Sequence, residues 1–496
     1  MAPEPADVAW LLPMHTQLMV LPSRWFLPLT RPLVCSAVAL LAPVAAAEEA
    51  PVRPVPDAPT SMRTLTLPEA LAYAREHQPA IHAALSRVAT REAETAIPTG
   101  QWKPTIGITA QIYGMTANNT TATYTAPSWL DIPRIGATST VASPSAATWA
   151  PSASTLVGAA IRQEVFDFGR IGAQRAASDA LVDVEKHRAD TTRLEVELGV
   201  EEAYFAVLAA KAIVRASEEA YDRAKVHRDY AKRGVDSGLR SPIDLTREEA
   251  NLARFDVGRI RAEGGVVVSQ AVLAAAIGST EPAVDVVGDT PQPTDMPTLA
   301  EAIQMAQTRD PVLAQALSGL KAAEDKTRAV GALLRPDVSL TATLSGRAGG
   351  ADPTTGGVPA GDGFLPSIPN WDAGLVLSWP LFDGTIAARR DASRTEETVR
   401  RDEIDAARLQ DVANVRETHA QVLVARAALA AIQNEVIAAR ANYDQADARF
   451  RSGIGNAVEL ADAEAVRTDA EIQLALGEFE LARARAAFGR AIAEGL

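Results

Sequence analysis

Few side chains in this sequence are placed for chemistry. The six histidines, His15, His77, His82, His187, His227 and His419, are scattered without metal-ligand spacing. His77 and His82 stand five apart on one helical stretch and read as surface residues rather than as a ligand pair. The single cysteine, Cys35, lies within the first 47 residues. No glycine-rich loop with the Walker pattern opens a helix, and no Ser-His-Asp order falls on plausible strand ends. The chain is therefore expected to be no enzyme and to hold no cofactor or metal, so any work it takes part in must be powered by a partner. One carboxylate pair does stand out. Glu459 and Asp462 lie one helical turn apart on one face, just behind a turn, where acids also support a helix N-terminus.

That turn is one of two. Ser452-Gly453-Ile454-Gly455-Asn456-Ala457-Val458-Glu459-Leu460 echoes the stretch from Arg233 to Leu245, so that Ser237, Gly238, Asp244 and Leu245 stand 215 positions before Ser452, Gly453, Glu459 and Leu460. The glycines, the Ser241-Pro242 step and the Ser/Asp pair are the chemistry of a tight reversal between long helices. The chain reads as a tandem duplication with one hairpin tip per copy, at 234–243 and 449–458.

The elements that carry the tips follow from periodicity. Long helices are expected from about 168 to 236 and from about 384 to 451, each near 100 Å at 1.5 Å per residue. Past the tips, helices run from about 243 to 275 and from about 458 to 493. Val200, Ala203, Val207 and Ala210 keep a 3-4 spacing, and Val415, Thr418, Val422 and Ala425 hold the matching places, which makes a heptad seam. Leu194, Leu198, Phe205, Leu208 and Ala212 form a second apolar line, as on a stave touched from two sides. Each copy opens on a Thr cap, Thr66 or Thr298, before a helix of some 30 residues. That helix stops at Trp102-Lys103-Pro104 or Leu334-Arg335-Pro336, and the apolar period then changes to two. Strands are expected at about 104–114 and 155–166, and at about 336–346 and 371–382, with polar loops between the members of each pair. The second strand of each pair ends at a corner, Val165-Phe166-Asp167-Phe168-Gly169 or Leu381-Phe382-Asp383-Gly384, where the Asp caps the following helix. The first repeat spans 64–277 and the second 299–496, joined by a Pro- and Asp-rich linker, 278–298, and preceded by an exposed lead-in, 48–63.

Composition bounds the setting. Aromatic residues make up 5% of the chain and the net charge is −14, which favours packed helices and argues against nucleic acid as a partner. Residues 1–47 read as a signal peptide. Arg24 and Arg31 precede the apolar run Leu33 to Val44, and Ala45-Ala46-Ala47 offers a cleavage site, with Met14 or Met19 as candidate initiators. The run is too short to span a bilayer, and no later apolar run approaches spanning length. If the exported chain enters a membrane, strands must do the spanning, and four strands cannot close a barrel alone.

The order helix, strand, loop, strand, long helix, tip, helix, repeated twice with Phe-Asp corners and Ser-Gly tips over roughly residues 64 to 493, resembles the TolC family of outer-membrane channel proteins. The resemblance implies a mainly α fold with membrane β, in which each protomer gives four strands to a 12-stranded trimeric β-barrel and coiled-coil helices to a periplasmic α-barrel. It also implies a homotrimer in outer-membrane lipid that receives substrate from an inner-membrane pump of RND, ABC or MFS type through a periplasmic adaptor protein. By position, the adaptor-contacting tips are Ser237, Gly238, Leu239, Arg240, Ser241, Pro242, Ser452, Gly453 and Ile454, and the periplasmic gate is Asp244, Phe450, Glu459 and Asp462. Three chains would place six carboxylates from Glu459 and Asp462 around the opening. Two tip positions depart from the family pattern, with Phe450 in place of a gate-bridging Tyr and Gly455 in place of an Arg. The closed mouth is therefore expected to be held differently, by Arg240 or Arg451. The function implied is passive exit for small molecules, drug or metal. Protein secretion of type I is the alternative within the class, and an adhesive surface coiled coil the alternative outside it.

Overall fold

The computed structural model describes residues 63–116, 151–288, 296–348 and 368–494. The stretch expected to be a signal peptide, nearly all of the expected lead-in and most of the two expected polar loops lie outside the described residues.

A short strand β1 (Thr64–Leu65) leads into α1 (Leu67–His77), α2 (Pro79–Glu94) and α3 (Ala96–Gly100). The expected single helix of some 30 residues is thus broken, and the second repeat breaks at the same place. Pro79 takes the first position of α2, and the residue before it, Gln78, is extended at ψ 118°. A proline ring there removes an amide donor and forces its predecessor out of the helical region.

Strands β2 (Thr105–Thr116) and β3 (Pro151–Phe166) precede the long helix α4 (Arg170–Asp236), its return helix α5 (Pro242–Ala276) and a short strand β4 (Asp285–Val286). The second copy supplies α6 (Leu299–Arg309), α7 (Pro311–Ala332), β5 (Asp337–Ala348), β6 (Ile368–Ser378), α8 (Gly384–Arg451) and α9 (Ala457–Ala491). Both repeats start alike: the Glu69 carboxylate accepts from Thr66 N at 2.9 Å, and that of Glu301 from Thr298 N at 2.9 Å. At the corners, Asp167 accepts from the amides of Gly169 and Ile171, and Asp383 from those of Thr385 and Ile386. Gly169 takes φ +92°, which an L side chain resists.

The linker is more than a connection. Residues 285–286 form β4, which pairs in parallel with β1, and Val284 and Val286 are buried in the core of the first repeat. Lys211 Nζ lies 2.7 Å from Asp285, and the Tyr204 hydroxyl donates to Val287 O at 2.8 Å. A two-residue strand carries too little periodicity to be seen in the sequence. At its start Gly278 sits at φ +72°, and a Cβ there would lie 2.9 Å from both Gln78 Cα and His77 O. Gly278→Ala is expected to lower unfolding stability by at least about 2 kcal/mol, through left-handed strain plus a backbone collision. Gly319→Ala, on open helical ground in α7, is expected to raise it by about 0.5–1 kcal/mol. Denaturant midpoints of the two variants should move in opposite directions.

The four longer strands form one antiparallel sheet in the order β2-β3-β5-β6. Its faces are inverted relative to a soluble sheet. Ser339, Thr343 and Ser345 are buried, whereas Leu340, Leu344, Ile106, Ile108 and Ile112 are exposed. An outward apolar face with an inward polar one is the pattern of a strand whose outer neighbour is lipid.

The helices form a wall in the order α5, α4, α9, α8, with α1, α2 and α7 packed along α4, and α6 and α7 along α8. Ala70 and Ala74 meet Val200 and Val207 in one core, and Ala302 and Ala306 meet Val415 and Val422 in its counterpart. Small residues on the short helices let them lie close against the staves. One expectation needs correcting. Helix α8 does contain an 18-residue window of mean hydropathy 1.5, long and apolar enough to cross a membrane by length and composition alone. It escapes a reading for uninterrupted apolar runs because Arg426 and the Gln433-Asn434-Glu435 stretch break up its alanine and aliphatic residues. Its exposed Leu409, Leu423, Val424 and Ile437 lie at the free edge of the wall.

Candidate functional site

The two tips share one backbone design. In the first, the amides of Leu239 and Arg240 donate to Gly234 O at 2.8 and 3.1 Å. In the second, those of Ile454 and Gly455 donate to Arg449 O at 3.0 and 2.9 Å. Gly238 at φ +72° and Gly453 at φ +79° make the left-handed step that ends each long helix. Ser237 Oγ donates to Arg233 O, and Ser452 Oγ to Arg449 O. Ser241 precedes α5 with Pro242 at its first position, and Asn456 caps α9 by accepting from Glu459 N at 2.8 Å. The apex of each tip is one large apolar side chain left in solvent, Leu239 at 84% and Ile454 at 78% exposure.

The tips differ in where the arginine stands. The first has Gly234 and Arg240; the second has Arg449 and Gly455 at the equivalent places. In the first, a Cβ on residue 234 would come within 2.7 Å of Arg240 Cδ, so the glycine makes room for the arginine to fold back across the helix end. Arg240 then leaves its own hairpin. Its guanidinium donates to Phe450 O at 2.9 Å and lies 3.9 Å over the Phe450 ring, with the Tyr230 ring 5.2 Å away. Tyr230 also crosses, donating to Arg451 O at 3.1 Å. Of the two arginines expected to hold the mouth, only Arg240 joins the hairpins. The Arg451 side chain stays on α8, bonded to Asp447 one turn back.

The four residues expected at the gate fall in different settings. Phe450 is wholly buried among Tyr443, Ala446, Ala457, Leu460 and Ala463, so it lines no opening. Without a hydroxyl to satisfy, it serves as the platform on which Arg240 sits. Glu459 is held by Arg449 at 3.3 Å across the second tip. Asp462 is exposed, Asp244 is half-buried in the first turn of α5, and neither side chain has a hydrogen-bond or ion-pair partner among the described residues.

Below the tips lies an ionic layer that no sequence motif announces. Arg223 of α4 reaches Glu464 of α9 at 2.8 Å and lies 3.5 Å from Glu471, which Arg467 and Arg440 also bind at 3.2 and 3.0 Å. Nearer the tip, His227 shares a 2.9 Å hydrogen bond with the Tyr443 hydroxyl, and its other ring nitrogen is 3.9 Å from Asp447. Burial pushes His227 below its usual value, with Asp447 pulling the other way. Burial also pushes the Glu464 carboxyl up against the pull of Arg223. The layer ties α4 to α8 and α9, the same seam that Arg240 closes at the end. A polar residue at a seam position, such as Arg223 or His227 among alanines, is the one sequence signal that could have revealed it.

An open sheet with an inverted face, a wall of very long helices and two paired tips define a protomer of a membrane channel with a long helical extension. The comparisons agree. The chain belongs to the outer membrane efflux protein family, whose model matches residues 70–279 and 302–494. It is 26% identical over 417 residues to Protein CyaE of Bordetella pertussis, covering 83% of this chain and 80% of that protein. In fold it is similar to the Campylobacter jejuni CmeC outer membrane channel, with TM-score 0.67, 15% identity and coverage of 87% and 86%. It is also similar to the open state of the Neisseria gonorrhoeae MtrE outer membrane channel, with TM-score 0.64, 18% identity and coverage of 88% and 94%. The TolC-like tandem-repeat architecture expected from the sequence is the one observed.

Proposed function

We propose that three copies of this chain close head to tail into an outer-membrane duct that gives passive exit to small molecules. An inner-membrane pump delivers them through a periplasmic adaptor. The observation that carries this reading is that both layers of the protomer are open at matching edges. The sheet ends at β2 and β6, whose outer backbone groups cost several kcal/mol each if left unpaired in hydrocarbon. The helical wall ends at α5 and α8, and both edges are apolar: Val257, Ile260, Val267, Val268 and Val272 on one, Leu409, Leu423, Val424 and Ile437 on the other. Joining β6 to the next β2, and α8 to the next α5, covers every free edge, and three protomers of four strands make twelve. The family's description favours efflux over polypeptide secretion.

Two roles at the periplasmic end belong to this reading. Leu239 and Ile454 form the apolar apices against which the adaptor docks, with Ser237, Gly238, Ser452 and Gly453 setting their backbone. Glu459 and Asp462 form the carboxylate ring of the mouth, which attracts cations and disfavours multivalent anions. Purified protein in planar bilayers tests this reading. Cation-selective conductance from a trimer is expected, with selectivity reduced in Glu459→Gln/Asp462→Asn. A protein that stays monomeric, or bilayers that stay silent, would overturn it.

A further inference from the structure

A cavity of about 960 Å³ opens between the two halves of the protomer, where the core around α1 and α4 faces the core around α6 and α8. Leu194, Leu198, Phe205, Met305, Leu429 and Phe488 form its apolar wall. Four acids, Glu197, Glu201, Glu478 and Glu494, line it against two arginines, Arg485 and Arg490. Glu197 is already bound by Arg75 at 2.7 Å, and Arg490 lies 4.0 Å from Asp310. Glu201 is different. It has no hydrogen-bond or cationic partner among the described residues, and burial, reinforced by Glu197 and Glu494, pushes its carboxyl up to about 7. A half-buried carboxylate beside two others is costly, and a positive charge placed against it would relieve it. The volume suits a drug-sized molecule. No residue of α5 lines the cavity, nor do the exposed apolar residues at the edge of α8, so joining protomers through those edges leaves it open.

We propose that this cavity is a binding site for an amphipathic organic cation, with its apolar body against Phe205, Phe488 and the Leu/Met wall and its charge on Glu201. Such a site lies in the wall, apart from the tips, and asks only for the protomer as folded. Ethidium, a flat lipophilic cation, is the probe, followed by fluorescence anisotropy on the purified full-length mature protein in detergent. Saturable binding is expected at pH 8. At pH 6, one unit below the Glu201 value, it should weaken about tenfold as the carboxyl takes up its proton. Glu201→Gln should bind about tenfold more weakly at pH 8 and lose the pH dependence. Leu198→Trp, which narrows the cavity while keeping the Glu201 carboxyl in the chain, should also abolish binding. The apolar anion anilinonaphthalene sulfonate should not displace the probe. Unchanged affinity in Glu201→Gln, unchanged affinity in Leu198→Trp, or displacement by that anion would each overturn the proposal. Bilayer conductance of Glu201→Gln should match the parent, which separates this result from any failure of the channel reading.

Discussion

Replacing Arg223 by methionine should lower unfolding stability at neutral pH by about 3–5 kcal/mol, the range found when one partner of a buried ion pair is removed. The Arg223 side chain is 16% exposed, and its partners Glu464 and Glu471 are 3% and 6% exposed. Methionine keeps the apolar stem, so the loss isolates the charge. Glu471 retains Arg440 and Arg467, but Glu464 keeps only the weaker help of Arg467 and the Thr468 hydroxyl. The sign of the pH dependence follows. The Glu464 carboxyl is held above its ordinary value by burial, and removing Arg223 raises it further. A raised carboxyl group contributes stability below its unfolded value near 4.5 and loses it as pH rises through the folded value. The deficit of the variant should therefore be large at pH 7.5 and shrink toward pH 5, and Glu464→Gln placed in the same chain should recover much of it. Denaturant unfolding at the two pH values checks this. An equal deficit at both, with no recovery in the double variant, would mean that Arg223 acts only by filling space.

That layer also shows where the sequence stops being informative. The helices, the tips and the period-2 strands are local patterns, and their ends fall within a few residues of the expected places because prolines, glycines and Asp caps act over one turn. Arg223 and Glu464 are 241 residues apart in the chain, and no local pattern relates them. The seam reading located Val200, Val207, Val415 and Val422 correctly in the core because burial of an apolar stripe is written along one helix. Phe450 illustrates the opposite case. By position the resemblance put it at the periplasmic gate, but the direction of a side chain at a helix end depends on what packs against it, and here Leu460 and Ala463 of its own return helix enclose it, with Tyr230 from the first hairpin. The inverted sheet was legible as alternation, with one apolar and one polar face, and the buried Ser339, Thr343 and Ser345 against the exposed Leu340 and Leu344 agree with it.

If the chain forms the proposed channel, replacing Arg240 by alanine should ease opening of its mouth, because Arg240, beside Tyr230, ties the first tip to the second hairpin. A charged donor on a carbonyl contributes about 1.5–3 kcal/mol when buried, and a guanidinium over a ring about 0.5–2 kcal/mol. Arg240 is half-buried, so the lower ends apply and sum to about 2 kcal/mol per protomer. That is a shift of about 30-fold in the balance between closed and open tips. The expected result is higher single-channel conductance, or a higher open fraction, in planar bilayers. Arg240→Lys should be intermediate, since an ammonium can reach the Phe450 carbonyl but cannot stack on its ring. Gly234→Ala provides an independent route to the same outcome, because its methyl would occupy the space through which the Arg240 stem passes while leaving every charge in place. Arg451→Ala should change little, as its bond to Asp447 lies within one helix and the Arg451 side chain is itself 60% exposed. If Arg240→Ala conducts like the parent while Gly234→Ala does too, the hairpins are held by the Tyr230 bond and the Arg223 layer, and the arginine at the tip is a surface ornament of a seam closed further down.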